Sequence, residues 1–117
     1  MKQIERCGAQ GDILFRRIDK LPNDVVEVKR GDGQPLVVAH SETGHDHVIR
    51  EPEVRMFERA DRNPFVCYLQ IDGAYADAVH CRNYDTHETL RLLGGGTFWE
   101  GIRQRERAPE GWRRVND

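Results

Sequence analysis

No stretch of the 117-residue chain keeps a 3.6-residue apolar period over the roughly eleven residues that an ordinary helix needs. The segment from Asp85 to Leu93 comes nearest, with Gly94 placed to cap it, and it still reads better as a strand from His87 onward. The apolar segments are short and broken by turn residues at intervals of about ten, the spacing of a sandwich or barrel. The expected fold is therefore all-β, a small single-domain barrel or sandwich over residues 1–117, with 108–117 as a peripheral C-terminal segment. A chain of this length can bury one core without disulfides.

The first candidate strand is Asp12 to Ile18, followed by a turn around Leu21-Pro22-Asn23-Asp24. Val25 to Lys29 alternates, and Gly31-Asp32-Gly33 predicts a hairpin into Leu36 to Ala39. After the break at Pro52, Val54 to Glu58 alternates again. Phe65 to Ile71 (FVCYLQI) is the strongest signal, aromatic and β-branched between Asn63-Pro64 and Asp72-Gly73, and it is expected at the centre of a sheet. Asp72-Gly73 predicts a hairpin into Tyr75 to His80, whose alanines on one face suggest the close approach of another element. His87 to Leu93 and Thr97 to Arg105 form a last pair around Gly94-Gly95-Gly96, a loop too flexible to hold a tight register unless another contact pins it.

Charge excludes some partners. Eighteen basic against twenty acidic residues leave −2, so no global field draws the chain onto nucleic acid or a membrane. The 32% charged fraction and mean hydropathy of −0.75 suit a soluble globular protein, and no run approaches the roughly 18 apolar residues of a membrane span. The start, MKQIERCGAQGDILF, has no apolar signal segment. Cys7, Cys67 and Cys81 are odd in number and irregularly spaced, which points to free thiols and a cytoplasmic location. Cys67 is expected in the core, and Cys7 ahead of the first strand. Cys81 and His80 are adjacent, so on a strand they face opposite ways, which disfavours a thiol–imidazole pair.

All five histidines, His40, His45, His47, His80 and His87, lie in the middle of the chain. On an extended segment His45 and His47 project from one face about 6–7 Å apart, close enough to converge on one ion. A third ligand must come from elsewhere, and Glu51, His80, Cys81 and His87 are the candidates. Such a set leaves positions open for water or substrate, which allows either metal-dependent catalysis on a small molecule or metal binding without catalysis. Imidazole suits zinc, iron, nickel or copper, and a carboxylate tilts the site toward iron or manganese. The expected cofactor is one divalent transition metal of this group. The plainer alternative is a set of turn histidines that satisfy backbone groups.

His45-x-His47 with Glu51 after it is similar to one part of the cupin pattern, in which an HxH and a following glutamate bind metal and a later strand adds a histidine. That resemblance implies a cupin-like architecture with His80 or His87 as the late ligand, although the second cupin motif with its PxG is absent. A longer resemblance spans nearly the whole chain. Gln10-Gly11-Asp12-Ile13-Leu14, Thr43-Gly44-His45-Asp46-His47, His87, Gly96-Thr97-Phe98 and Arg103-Gln104-Arg105-Glu106 resemble a family of small bacterial and phage proteins with QGDxL, TGHxH, HxxH and RQRE motifs and no assigned activity. It implies His45, His47 and His87 as the shared imidazoles, with Glu51, His80 or Cys81 as a fourth ligand. Tyr84 stands where the first histidine of HxxH is expected.

The strand after Gly96 carries a second expectation. Trp99, Arg103, Arg105 and Arg107 share parity, which would place an indole and three guanidiniums on one anion-binding face with a spacing close to that of phosphates in an extended nucleic acid strand. The runner-up function is thus a non-enzymatic module of phage or mobile-element origin that contacts nucleic acid or an acidic protein. An edge strand with charges that discourage aggregation is the plainer alternative.

Overall fold

The computed structural model describes residues 1–39, 46–80, 88–103, 105–108 and 111–114, excepting the side chains of Ala39 and of 105–114. Among these residues there is no helix. The chain forms β1 (Lys2–Ile4), β2 (Cys7–Gln10), β3 (Ile13–Ile18), β4 (Val25–Val28), β5 (Leu36–Ala39), β6 (His47–Ile49) and β7 (Val54–Arg59). It continues with β8 (Val66–Ile71), β9 (Tyr75–His80), β10 (Leu90–Leu93), β11 (Thr97–Arg103), β12 (Arg105–Ala108) and β13 (Gly111–Arg114). A five-stranded sheet in the order β1-β10-β9-β6-β5 faces a six-stranded sheet in the order β2-β3-β11-β8-β7-β4, while β12 and β13 pair with each other. The all-β expectation is borne out as a sandwich. No helix among the described residues is long and apolar enough to cross a membrane.

Period-2 alternation builds the core from both sheets. Along β11, Thr97, Trp99, Gly101 and Arg103 point inward between half-buried Phe98, Glu100 and Ile102. As expected, β8 lies at the middle of its sheet, flanked by β11 and β7, and its Leu69 and Ile71 have no exposed surface. Ala76 and Ala78 on β9 are likewise fully buried, and their small side chains let the opposite sheet come close beneath them. The same parity turns His80 inward, a placement that matters for the site below.

Three expected hairpins are not formed, because the chain changes sheet at each turn. β4 pairs with β7 and β5 with β6, so residues 29–35 cross between the sheets. Arg30 holds that crossing by donating from Nη2 to the carbonyls of Glu51 and Val54. β8 and β9 lie in different sheets, as do β10 and β11. Their two crossings are bonded to each other: the amides of Gly94, Gly95 and Gly96 donate to the carbonyls of Ala74, Gly73 and Ile71. This is the pinning contact that the triple glycine needs. Gly95 and Gly96 take φ of 85° and 89°, and a Cβ on Gly94 would fall on the Gly73 carbonyl oxygen and within 2.6 Å of Ile71 Cγ2. Cys7 begins β2 and is preceded by β1, so it does not lie ahead of the first strand.

Two substitutions test this packing by urea denaturation. Leu69→Ala should lower stability by about 2–5 kcal/mol. Gly94→Ala should cost at least about 1–3 kcal/mol although it adds only a methyl group, because rigid backbone blocks the space. An unchanged midpoint for Gly94→Ala would show that the crossings are not packed against each other.

Candidate functional site

At one end of the sandwich, where β6 and β9 pair, a set of polar side chains is almost wholly withdrawn from solvent. His47 and His80 are direct partners in the β6–β9 register, and inward parity stacks their rings with centroids 4.2 Å apart and planes within 7°. His47 is 1% exposed and His80 fully buried. Facing His47 from the other sheet are Gln10, at the end of β2, and Asp12, in the two-residue turn into β3. Gly11, at the first position of that turn with φ of 59°, supplies the left-handed conformation that a tight hairpin demands. The turn tip would ordinarily be solvated, yet Asp12 is buried. Arg103, at the end of β11, is paired in register with Ile13 and reaches Asp12 Oδ2 from Nη2 at 3.2 Å.

Gln10 decides the tautomer of His47. Its Nε2 donates to the carbonyl oxygens of Ala78 and Glu88 at 2.8 and 2.9 Å, which leaves Oε1 turned toward His47 Nδ1 at 2.9 Å. An amide oxygen can only accept, so Nδ1 must carry the proton. In the neutral ring Nε2 is then a bare lone pair. It is buried, makes no hydrogen bond, and lies 3.4 Å from Asp12 Oδ1. The Nε2 lone pair thus faces a carboxyl oxygen of Asp12. Burial, reinforced by His80, pushes the His47 pKa down from 6.5 to about 4 against the opposing pull of Asp12, so the ring is neutral at pH 7.

The other expected ligands are distributed differently. His80 stands beside His47. Glu51 is not in this group; its Oε1 accepts from the Asp77 amide at 3.0 Å, three residues along β9 from His80. His45, Cys81 and His87, and the control position His40, lie outside the described residues. Among the described residues, no group of three or more His, Cys, Asp or Glu side chains is arranged to hold an ion. Cys67 is in the core as expected, and burial pushes its thiol up to about 12.

The arginine strand has the expected parity, but the shared face at Trp99 and Arg103 is the interior one. Trp99 has no exposed surface and donates from Nε1 to Leu93 O and Thr97 Oγ1, so its indole is not available to stack a base. Arg103 points into the interior and pairs with Asp12 through Nη2, so it is not on an outer face that could follow a nucleic acid strand. Arg105 and Arg107 are placed on β12, with no description of their side chains. Gln10 and Asp12 are the site residues that motif spacing missed. Their signal was the Gln10-Gly11-Asp12 turn, which sets an acceptor and a carboxylate on either side of an obligatory glycine.

Fold and site define a two-sheet β-sandwich with an imidazole, a carboxylate and a guanidinium sealed into one end. A family model described as a domain of unknown function, DUF8820, matches residues 9–104, and the chain belongs to that family. The match takes in Gln10, Asp12, His47, His80 and Arg103 together. No curated protein and no solved structure matches the chain.

The depressed His47 pKa has a signed consequence. Between pH 6.5 and about 4 the unfolded chain binds the histidine proton and the folded chain does not, so stability falls as pH falls through this window and is insensitive to this group above it. The full loss is on the order of 3 kcal/mol. Urea midpoints between pH 7.5 and 4.5, taken with chelator present, should drop for the parent and decline less steeply for His47→Gln. Parallel declines would remove His47 from the acid response.

Proposed function

We propose that the protein binds one divalent transition metal at the Asp12–His47 end of the sandwich. The observation that carries this reading is the 3.4 Å separation between His47 Nε2 and Asp12 Oδ1, both buried. Nitrogen and oxygen ligands at about 2.0–2.2 Å from a tetrahedral ion stand roughly 3.4 Å apart, so a cation would turn a repulsive contact into two bonds. Gln10 would orient the imidazole by accepting from Nδ1, and Arg103 would orient the carboxylate through Oδ2. The remaining ligands are sought in His45 and His87, on the strength of their motif positions, with His80 or Cys81 nearby in sequence. A nitrogen and carboxylate donor set suits zinc, iron or manganese. Metal-assisted chemistry on a small molecule is the enzymatic form of this reading.

The alternative of a nucleic-acid or acidic-protein contact through the arginine strand has less support, since it is left with Arg105 and Arg107.

Metal analysis of protein purified without added ions is the test. The parent and His40→Ala should carry about one ion per chain, while His45→Ala, His47→Ala, His87→Ala and Asp12→Asn should bind at least about tenfold more weakly. The His47 contribution to affinity should persist as pH falls through 6.5 and be lost as that ring takes up its proton at about pH 4, since a ligand imidazole must be neutral. Metal content near zero in the parent, or unchanged by Asp12→Asn and His47→Ala, would overturn the proposal.

A further inference from the structure

Where the sheets part between their edge strands β4 and β5, a cleft of about 410 Å³ runs inward to Arg103. We propose that this cleft is a binding site for a small monocarboxylic acid with an unbranched apolar body, its carboxylate read by Arg103.

The walls fit the body of such a ligand. Val28 and Leu36 come from the two edge strands, Met56 lies across from Val28 in the strand register, and Cys67, whose thiol is kept protonated by burial, is also in the lining. The volume is within the range of sites that enclose small organic molecules, and apolar lining with a few polar groups is their ordinary chemistry. The sheets can stay parted here because residues 29–35 cross from one to the other and are tied down by Arg30.

The charges fit the head. A guanidinium has five N–H donors in a planar fork that matches a carboxylate. Arg103 is 9% exposed, gives Asp12 a single 3.2 Å contact, and has a buried Nε with no acceptor. The Nε–H without an acceptor leaves this buried guanidinium under-satisfied. Among the described residues, Lys29, Arg30 and Arg103 line the cleft with Glu58, Lys29 being paired with Glu27 and Arg103 with Asp12. The inference does not depend on a metal at His47.

The chain has two methionines, Met56 in the cleft and Met1, 66% exposed at the other extreme of the sequence, so methyl-labelled methionine gives a two-signal NMR spectrum with its own control. Titration with butyrate, hexanoate and octanoate, with and without chelator, should shift the Met56 methyl and leave Met1 in place. Affinity should rise roughly tenfold for each two carbons added, and octanol should bind at least tenfold more weakly than octanoate. Val28→Phe, which enlarges the residue directly across from Met56 without touching the buried charges, should abolish the Met56 shift. Replacing Arg103 itself would leave Asp12 buried and unpaired, so the headgroup exchange stands in for that variant. No shift of Met56, equal binding of octanol and octanoate, a response lost on adding chelator, or full binding by Val28→Phe would each overturn the proposal.

Discussion

The amide of Gln10 ties the two sheets together at the end where the candidate site lies. It reaches from β2 across the interior, gives its two protons to backbone carbonyls at Ala78 and Glu88, and accepts a third hydrogen bond from His47. Buried amides that fail to find partners are costly, so a glutamine satisfied on both atoms specifies one arrangement of the facing strands. The tautomer of His47, the bare state of its Nε2 and the meeting of that nitrogen with Asp12 all follow from the orientation of this one side chain. Replacing it with an apolar residue of the same volume would keep the sandwich and release the imidazole.

The polar end contrasts with the rest of the interior. Elsewhere the sheets meet through apolar side chains such as Ile13, Phe15, Leu69, Leu92 and Trp99, which are interchangeable in kind if volume is kept. At the site the interior holds a carboxylate, a guanidinium and two imidazoles. Burying such a group costs free energy that well-packed apolar residues would not, and ionic replacement by hydrophobic side chains is often neutral or stabilising. A sandwich needs no such cluster to fold. The cost of burying it is what the proposed metal site would offset.

Sequence reasoning recovered the elements far better than their connections. FVCYLQI as a central strand, Tyr75–His80 as a strand with an alanine face, and the burial of Cys67 were all legible, because each depends on local alternation and composition. The hairpins at Gly31-Asp32-Gly33, Asp72-Gly73 and Gly94-Gly95-Gly96 were misread. A glycine-rich turn signals that the chain reverses, but whether it returns to the same sheet or crosses to the facing one is set by contacts such as Gly95 to Gly73, distant in sequence. The inward face of Trp99 and Arg103 was hidden for a related reason: parity puts residues on one face without saying which face is the core. His47 was legible from the HxH motif and His80 only as an alternative. Asp12 was not, since an aspartate after a glycine ordinarily marks an exposed turn.

The tautomer of His47 at pH 7 is the most direct test of how this site is built. Two-bond nitrogen–proton correlation spectra of imidazole-labelled protein, with chelator present, distinguish a protonated ring nitrogen from a bare one. The expected result is a neutral ring with the proton on Nδ1 and a bare Nε2, a pattern lost when Gln10 is replaced by Leu. A proton on Nε2, or a doubly protonated ring at neutral pH, would contradict the orienting role of Gln10 and remove the open nitrogen on which the metal reading depends.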